Sequence, residues 1–511
     1  MAALIQHVAS NALHSADRPG LAKCHPKTRV AILERITGWI ESLEAHTVDR
    51  LIMWLHGPAG TGKTAIAQTL AELFHERGIL LAAFFFSRFD DTRNRSRSLI
   101  STIAYQAALS LPLPVRTNIL SAIAHDPLLF KKSLSNQMTT LLLDPLASLP
   151  EDYFIGPKCN RVIIIDGLDE CEDRTEQVAI LEAIAGVVRK HCIPLSFIIA
   201  SRPEPELKRA FNTGGLEDLS ISLPLNDDLQ SSTDIELFLR DRFESIKRNH
   251  QFKQYIPLTW PGDNVINRLV YNSSGHFIYA ATVIKFVEFG KKQPHLQLDI
   301  VLGIRSRESA SPFEELDALY THILKSVENP KLVLQILALF LLRQQWLPPL
   351  RARLSDPTSS FNLVRLSNFE DLLCLPSGEA DVALCDLGSL LEIRDSIHGS
   401  RDLRFFHASF QDFLLDKSRS GIFHIDDLTR HGEIAHYYFQ QFQRTFEGND
   451  LLRFSVHLKL ASQTPTLLAD VLNVSFPAFS RHCRQRNMPK QKYEDYSHAF
   501  LNVIKDFVSL Y

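Results

Sequence analysis

The stretch LIMWLHGPAGTGKTAIAQTLAELF, residues 51–74, decides the fold of this chain. An apolar run leads into a GxxxxGK[ST] pattern made of Gly57, Pro58, Ala59, Gly60, Thr61, Gly62, Lys63 and Thr64. Glycines let the backbone wrap closely around phosphate oxygens, and the amide N–H groups at the start of the following helix point toward those oxygens. In this pattern Lys63 supplies a positive charge to the β- and γ-phosphates and the Thr64 hydroxyl ligates Mg²⁺. The stretch therefore predicts a strand, a phosphate-binding loop and a helix.

Outward from this stretch, short apolar runs alternate with helical segments. The runs lie at residues 51–56, 79–87, 162–166, 195–201 and 219–225. Nearly continuous apolar strands alternating with helices indicate a parallel sheet that is covered on both faces. We expect an α/β P-loop NTPase fold with a five-stranded parallel sheet over residues 30–225, preceded by an N-terminal segment or linker at 1–29.

Beyond residue 225 the pattern becomes helical. Thr233 and Glu236 have the spacing of a capping box, which predicts the start of a helix, and Ser311, Pro312 and Glu314 repeat this signal. We expect a helical lid over residues 226–300.

A second change of pattern falls within residues 301–425. Helical stretches at 368–375 and 379–391 precede two β-like pieces, LEIRD and LRFFH, which SIHGSRD joins, and the helix SFQDFLLD follows. Helices that lead into a small hairpin indicate a winged-helix domain. Residues 426–511 read as an all-helical C-terminal region.

The second chemical motif is an acidic block at the end of the apolar run VIIID. Asp166 stands at the carboxyl end of this strand, where ligands bind in open α/β sheets. We expect Asp166 to hold Mg²⁺, and Asp169 or Glu170 to act as general base or to orient a water toward the γ-phosphate. By itself such a block would more commonly be a solvated loop, but the phosphate loop upstream favours the catalytic interpretation.

A third motif, Ser201-Arg202-Pro203, ends another apolar run. An arginine at this sheet edge can contact the γ-phosphate and so report its presence. Alone, Arg202 would be interpreted as a surface cation.

Charge and composition exclude several classes of partner. The 55 Lys and Arg residues against 58 Asp and Glu residues leave a net charge of −3, which provides no general attraction to nucleic acid or anionic membranes. Residues 351–430 hold 9 basic and 13 acidic residues, so the winged helix is not expected to bind DNA. We find no signal peptide and no apolar run of membrane-spanning length, and the seven cysteines lack framework spacing. We therefore expect a cytoplasmic protein with no membrane partner.

The phosphate loop, the IIIDGLDE block and the IIASRPEP strand end together resemble the NACHT-type signalling NTPases of the STAND class, and the chain is most similar to the large fungal NLR-like set. FFFSRFDDTRNR (84–95), TIAYQAA (102–108), SSGHFIYAATVIKF (273–286) and HASFQDFLLD (407–416) extend the resemblance to residues 24–425. It implies ATP/ADP and Mg²⁺ as cofactors. It also implies that His407, at the matching position of the winged helix, contacts the β-phosphate of ADP in a closed state.

The chain departs from these relatives at two positions. Many relatives have Gly-x-Pro in the lid, with the proline on adenine; here Gly275-His276-Phe277 stands there, so we expect Phe277 to replace that contact. Lys27 follows Pro26 where relatives often have glycine, and we assign no nucleotide role to Arg29.

Four arginines, Arg88, Arg93, Arg95 and Arg97, crowd the loop after the second strand. They are interpreted either as a solvated loop balanced by Asp90 and Asp91 or as a source of an arginine that meets a neighbouring subunit's nucleotide.

The leading hypothesis is a nucleotide-operated molecular switch with slow ATP hydrolysis and self-association in the ATP state, coupled to an unknown effector or sensor protein. The alternatives are a continuously cycling ATPase and a scaffold that binds nucleotide without hydrolysing it. We expect these 511 residues to be the switch of a larger protein.

Overall fold

The computed structural model describes residues 1–15, 22–44, 50–88, 90–150, 153, 161–189, 195–213, 215–225, 229–289, 292–304, 313–353, 366–395, 401–445, 448–462 and 464–473, with scattered residues beyond. The chain divides into two compact units. The first comprises residues 1–253 and 257–284, and the second comprises residues 254–256 and 285–511. Each unit is described by itself.

The first unit is built on a five-stranded parallel sheet. Its strands are β1 (Ile52–His56), β2 (Leu80–Phe85), β3 (Val162–Asp166), β4 (Ser196–Ser201) and β5 (Ser220–Pro224). They lie in the order β2-β3-β4-β1-β5, so β4 separates the strand that enters the phosphate loop from the strand that carries Asp166. All five predicted strands are confirmed within a residue or two at each end.

Eleven helices of the described chain lie wholly in the first unit, and one more begins there. They are α1 (Ala2–Ile5), α2 (Val30–Glu44), α3 (Lys63–Glu76), α4 (Leu99–Ser110), α5 (Leu113–His125), α6 (Leu134–Met138), α7 (Asp144–Leu146), α8 (Arg174–Arg189), α9 (Pro205–Asn212), α10 (Leu229–Asn249), α11 (Asp263–Ser273) and α12 (Phe277–Glu288). The division between the units falls within α12. The predicted helix start at Thr233 is wrong, because α10 already begins at Leu229 and Thr233 lies inside it.

Two hydrophobic cores cover the two faces of the sheet. Successive residues of a strand point to opposite faces, and Trp54 and Ile165 accordingly join one core while Leu55 and Ile164 join the other. The first core includes side chains of α4, α5 and α8, and the second includes side chains of α2 and α3. Because β1 to β4 supply apolar groups to both cores, their sequences are nearly continuously apolar, whereas the edge strand β5 supplies Leu223 to the second core. The predicted α/β fold class is confirmed.

The N-terminal residues also belong to the first core. Leu4, Ala9 and Ala12 are buried there, and the main-chain N–H of Ala9 donates to the Thr102 hydroxyl on α4 at 3.0 Å. The Ser101 hydroxyl, also on α4, donates to the carbonyl of His7 at 2.6 Å. These contacts hold the start of the chain against α4 of the first unit.

The second unit is largely helical. Its helices are α13 (Pro294–Gly303), α14 (Glu314–Ser326), α15 (Pro330–Arg353), α16 (Leu366–Leu373), α17 (Glu379–Leu384), α18 (Ala408–Leu415), α19 (Lys417–Ser420), α20 (Asp427–Thr445), α21 (Gly448–Leu460) and α22 (Pro465–Leu472). Strands β6 (Leu391–Asp395) and β7 (Arg401–Phe405) form an antiparallel pair between α17 and α18. This is the hairpin that the sequence predicts, although the joining residues 396–400 lie outside the described part of the chain.

Two further sequence predictions fall partly or wholly on residues that are not described. In the predicted helix start at Ser311, Pro312 and Glu314, the first two residues are not described. The helix α14 begins at Glu314, and Phe313 before it makes no side-chain capping hydrogen bond. Most of the apolar C-terminal stretch 499–511 is also outside the described residues. Among the described helices, none combines the length and hydropathy that crossing a membrane requires.

Candidate functional site

The phosphate loop connects β1 to α3 through two glycines in the left-handed region. Gly60 has φ 80° and Gly62, the N-cap of α3, has φ 92°, conformations that side-chain-bearing residues rarely adopt. The Lys63 ammonium folds back and donates to the carbonyls of Gly57 at 2.7 Å and Pro58 at 2.8 Å. Burial lowers the pKa of Lys63 to about 8, although the nearby carboxylates of Asp169 and Asp166 oppose this shift.

Sheet order brings the three sequence motifs to one edge. His56, the last residue of β1, pairs with Ser201 of β4, while Asp166 of β3 pairs with Ala200 of β4. Arg202 follows β4 directly and therefore lies between the phosphate loop and the acidic block. Ligands bind at the carboxyl edge of such sheets.

Asp166 is a buried carboxylate with an unmet hydrogen-bonding capacity. Its side chain is 3% exposed, and its Oδ1 has no hydrogen-bond partner among the described residues. Burial raises the pKa of Asp166 to about 7, even though a hydrogen bond from Thr64 acts in the opposite direction.

Thr64 and Asp166 fit the magnesium site expected of them. A hydroxyl and a buried carboxylate oxygen in need of a partner are ligands that Mg²⁺ prefers, and this ion is usually held by one or two carboxylates together with phosphates. The described residues contain no group of three or more His, Cys, Asp or Glu side chains that could hold a metal ion.

Asp169 anchors the arginine of the third motif. Its Oδ1 accepts the main-chain N–H of Arg202 at 2.9 Å, and its Oδ2 lies 3.2 Å from Arg202 Nε. The Asp169 side chain is 3% exposed. A buried carboxylate whose two oxygens are both engaged positions the arginine, and this geometry favours Glu170 over Asp169 as the group that could accept a proton.

Glu170 stands in a 3₁₀ turn, Leu168–Glu170, that follows β3. Its Oε2 accepts the main-chain N–H of Arg88 at 3.3 Å. Burial, reinforced by the Asp169 charge, raises the pKa of Glu170, while Arg88 and Arg202 oppose the shift. A raised pKa is a property that catalytic bases commonly have.

Sequence reasoning set aside one residue that reaches the phosphate loop. The buried Arg29 donates from Nη2 to the carbonyl of Thr61 at 2.9 Å and from Nη1 to the Ser231 hydroxyl of α10 at 2.9 Å. Its own main-chain N–H donates to Asp234, also on α10, at 2.9 Å. No local pattern around Arg29 indicates these contacts, because they join residues that are 32 and 202 positions apart in the chain.

The beginning of α12 lies against the same loop. A Cβ built on Gly60 would approach Cγ2 of Ile278 to 2.2 Å, so the loop and this helix are in close contact. The Phe277 ring lies 4.9 Å from the Arg29 guanidinium carbon and 6.1 Å from the Phe238 ring centre. Phe277 therefore joins a cluster next to the phosphate loop, and its contact with adenine stays a prediction.

His407 belongs to the second unit, where it caps α18. Its Nδ1 accepts the main-chain N–H of Ser409 at 3.0 Å. The Ser409 hydroxyl lies 2.7 Å from the same nitrogen and 2.8 Å from the Tyr320 hydroxyl. Because a main-chain N–H can only donate, Nδ1 is the acceptor and the proton of the neutral ring resides on Nε2.

Three of the four arginines in the loop after β2 contact groups outside the acidic block. Arg93 pairs with Asp90 at 2.9 Å, Arg95 pairs with Glu172 at 2.8 Å, and Arg97 donates to the carbonyl of Asp91 at 3.1 Å. The fourth, Arg88, turns toward Asp169 at 3.8 Å.

Residues 32–202 match the family model Nephrocystin 3, N-terminal. The matched segment covers about a third of the chain, begins within α2 and ends at Arg202. It therefore contains the phosphate loop, the acidic block and the arginine after β4. No curated protein matches the chain.

Proposed function

We propose that this chain is an NLR-like signalling NTPase of the NACHT type that works as a switch operated by ATP and ADP. The observation that carries the proposal is the convergence of Lys63, Asp166 and the Asp169–Arg202 pair at the carboxyl edge of one parallel sheet. The Nephrocystin 3 match over the same motifs supports an NTPase assignment for this part of the chain.

Each residue has a separate role in this proposal. Lys63 provides charge to the β- and γ-phosphates, and Thr64 and Asp166 would hold Mg²⁺, which neutralises phosphate charge when bound. Arg202 distinguishes a triphosphate from a diphosphate, and Glu170 orients the attacking water. A site of this kind supports slow hydrolysis that resets the switch.

His407 would contribute from the winged helix. Because Nδ1 accepts from Ser409, the neutral ring carries its proton on Nε2, and in the proposal this nitrogen donates to a phosphate oxygen. In the proposal this contact favours ADP in a closed state. A ligand shifts such an equilibrium only through different affinities for the two states, so ADP and ATP must differ in theirs.

The proposed organisation is an N-terminal segment (1–29), a nucleotide-binding domain (30–225), a helical lid (226–300), a winged helix (301–425) and a helical C-terminal region (426–511). The protein would act in the cytoplasm, self-associate in the ATP state and signal to an effector or sensor protein.

The decisive experiment identifies the nucleotide that co-purifies with the chain and measures its molar mass by light scattering in ADP and in a non-hydrolysable ATP analogue. Lys63→Ala should abolish nucleotide binding, whereas Lys23→Ala, at a half-exposed lysine paired with Glu72, should bind as wild type does. Equal nucleotide binding by Lys63→Ala and wild type refutes the proposal.

Two further results would select the alternatives. Steady-state turnover far above one per minute would favour a continuously cycling ATPase. Identical nucleotide content and molar mass for Glu170→Gln and wild type would favour a non-hydrolysing scaffold.

A further inference from the structure

Arg88 and Arg202 meet at the same carboxylate oxygen. Oδ2 of Asp169 lies 3.8 Å from Nη2 of Arg88 and 3.2 Å from Nε of Arg202. The two arginines are more than a hundred residues apart in the chain, and they follow different strands, β2 and β4. Asp169 is 3% exposed, whereas the Arg88 and Arg202 side chains are about one-fifth exposed. One buried carboxylate, that of Asp169, thus contacts two partly exposed guanidinium groups.

The two oxygens of the Asp169 carboxylate differ in how firmly their partners are fixed. Oδ1 is held by a main-chain N–H, that of Arg202, which cannot move without displacing the end of β4. Oδ2 instead faces two guanidinium groups, and each limits how closely the other can approach it. Because charge-assisted contacts in a buried site are strong, removing one of the two cations changes the best position of the other.

We propose that Arg88 is a positioning residue for Arg202. By sharing Oδ2 of Asp169 it weakens the hold of that carboxylate on the Arg202 guanidinium, which lies 3.2 Å away, and it thereby sets the preference of the site for a nucleoside triphosphate over a diphosphate. The inference rests on the proposed function, since it assigns Arg88 to the same switch.

The remaining contacts of Arg88 make the idea testable with a side-chain change. The hydrogen bond from Arg88 to Glu170 comes from the main-chain N–H and is retained in any variant other than proline. Arg88→Ala keeps this bond and removes the guanidinium charge, which acts on Asp169 and also lowers the pKa of Glu170. The contact with Asp169 also argues that Arg88 acts within its own chain, in contrast to an arginine that meets a neighbouring subunit's nucleotide.

The test compares dissociation constants for Mg²⁺-ADP and for a Mg²⁺-bound non-hydrolysable ATP analogue. Arg88→Ala should keep ADP affinity within about twofold and lower the preference for the triphosphate by about five- to tenfold, in the direction of Arg202→Ala. Arg88→Lys, which returns a cation near Oδ2, should restore part of the preference. Arg95→Ala is the matched control, because Arg95 lies in the same loop and pairs with Glu172.

The inference on Arg88 is overturned, and the proposed function is untouched, if Arg202→Ala loses the preference for the triphosphate while Arg88→Ala keeps it at the level of wild type and Arg95→Ala. Nucleotide binding that survives Lys63→Ala, or a wild-type chain that does not distinguish the two nucleotides, contradicts the proposed function instead. If Arg88→Ala does not fold, Arg88→Gln takes its place, and a wild-type preference in Arg88→Gln likewise overturns the inference.

Discussion

The guanidinium of Arg29 donates a 2.9 Å hydrogen bond to the main-chain carbonyl of Thr61, so a residue that precedes helix α2 holds the phosphate loop in place. The same side chain reaches Ser231 on α10. One buried arginine thereby connects the segment before the sheet domain, the phosphate loop and the first helix after the sheet. Any movement of α10 relative to the loop must alter at least one of these bonds.

Arg29→Ala should weaken both stability and nucleotide binding. Buried hydrogen bonds to a charged group contribute about 1.5–3 kcal/mol each, so we expect the free energy of unfolding to fall by about 2–4 kcal/mol and ADP to bind more weakly. Denaturant titration and nucleotide titration measure the two effects. Arg35→Ala, at an exposed position of α2, is the control. Equal effects of the two substitutions would show that the contact with Thr61 is unimportant.

Lys27→Gly should stabilise the chain. Lys27 is exposed and has φ 64°, a left-handed conformation that costs a side-chain-bearing residue about 1–2 kcal/mol. Glycine relieves this strain but loses about 0.5–1 kcal/mol through the greater freedom of the unfolded chain. We expect a net gain of up to about 1 kcal/mol in urea denaturation. Lys27→Ala keeps the strain and should give no gain, so a gain in both variants would be inconsistent with this explanation.

Gly60→Ala and Gly62→Ala should differ, although both glycines have positive φ. A Cβ on Gly60 would meet Ile278 Cγ2 at 2.2 Å, whereas a Cβ on Gly62 would meet no described atom within 4 Å. Ile278 is branched at Cβ and cannot easily turn away. Gly60→Ala should therefore destabilise the chain by about 1–3 kcal/mol more than Gly62→Ala does, as measured by thermal and chemical unfolding.

A double-mutant cycle tests the cause of this difference. If the clash with Ile278 is responsible, Gly60→Ala should cost less in an Ile278→Ala background than in wild type. An unchanged cost in that background would show that Cγ2 of Ile278 is not responsible; Cβ of Ile278, 2.8 Å from the added Cβ, is retained in Ile278→Ala.

Asp166→Asn should stabilise the nucleotide-free chain at neutral and alkaline pH. Burial raises the Asp166 pKa from 3.8 to about 7, so the folded state binds more protons than the unfolded state between these values. The free energy of unfolding therefore has its full contribution from Asp166 below about pH 4, where the carboxyl is protonated in both states. This contribution is lost as the pH rises toward 7. Asparagine does not titrate, and at pH 8 the variant should be more stable by a few kcal/mol, of the order that such a shift implies.

Melting temperatures from pH 4 to pH 8 check this expectation, with Asp144→Asn as an exposed control on α7. The Asp166→Asn variant should also lose magnesium-dependent nucleotide binding. A difference in stability that does not grow with pH would contradict the assignment of the shift to Asp166.

Local patterns predicted most of the sheet and the chemical motifs. Short apolar runs predict strands β1 to β5, and the GxxxxGK[ST] pattern between such a run and a helix predicts the phosphate loop. The structure adds that Gly60 and Gly62 in this loop have positive φ. The hairpin of β6 and β7 followed from the same kind of evidence. The helix start predicted at Thr233 is wrong, because α10 begins at Leu229 and places Thr233 inside its first turns.

What the sequence by itself determined is therefore the set of elements and the residue types at their ends. Only the tertiary structure decided that β4 lies between β1 and β3, that Asp169 engages both Arg202 and Arg88, and that Arg29 reaches Thr61. The physical reason is the range of the interactions. Strands, turns and glycine conformations depend on residues that are neighbours in the chain, whereas strand order and buried ion pairs depend on the packing of two cores against one sheet, which joins residues that no local pattern connects.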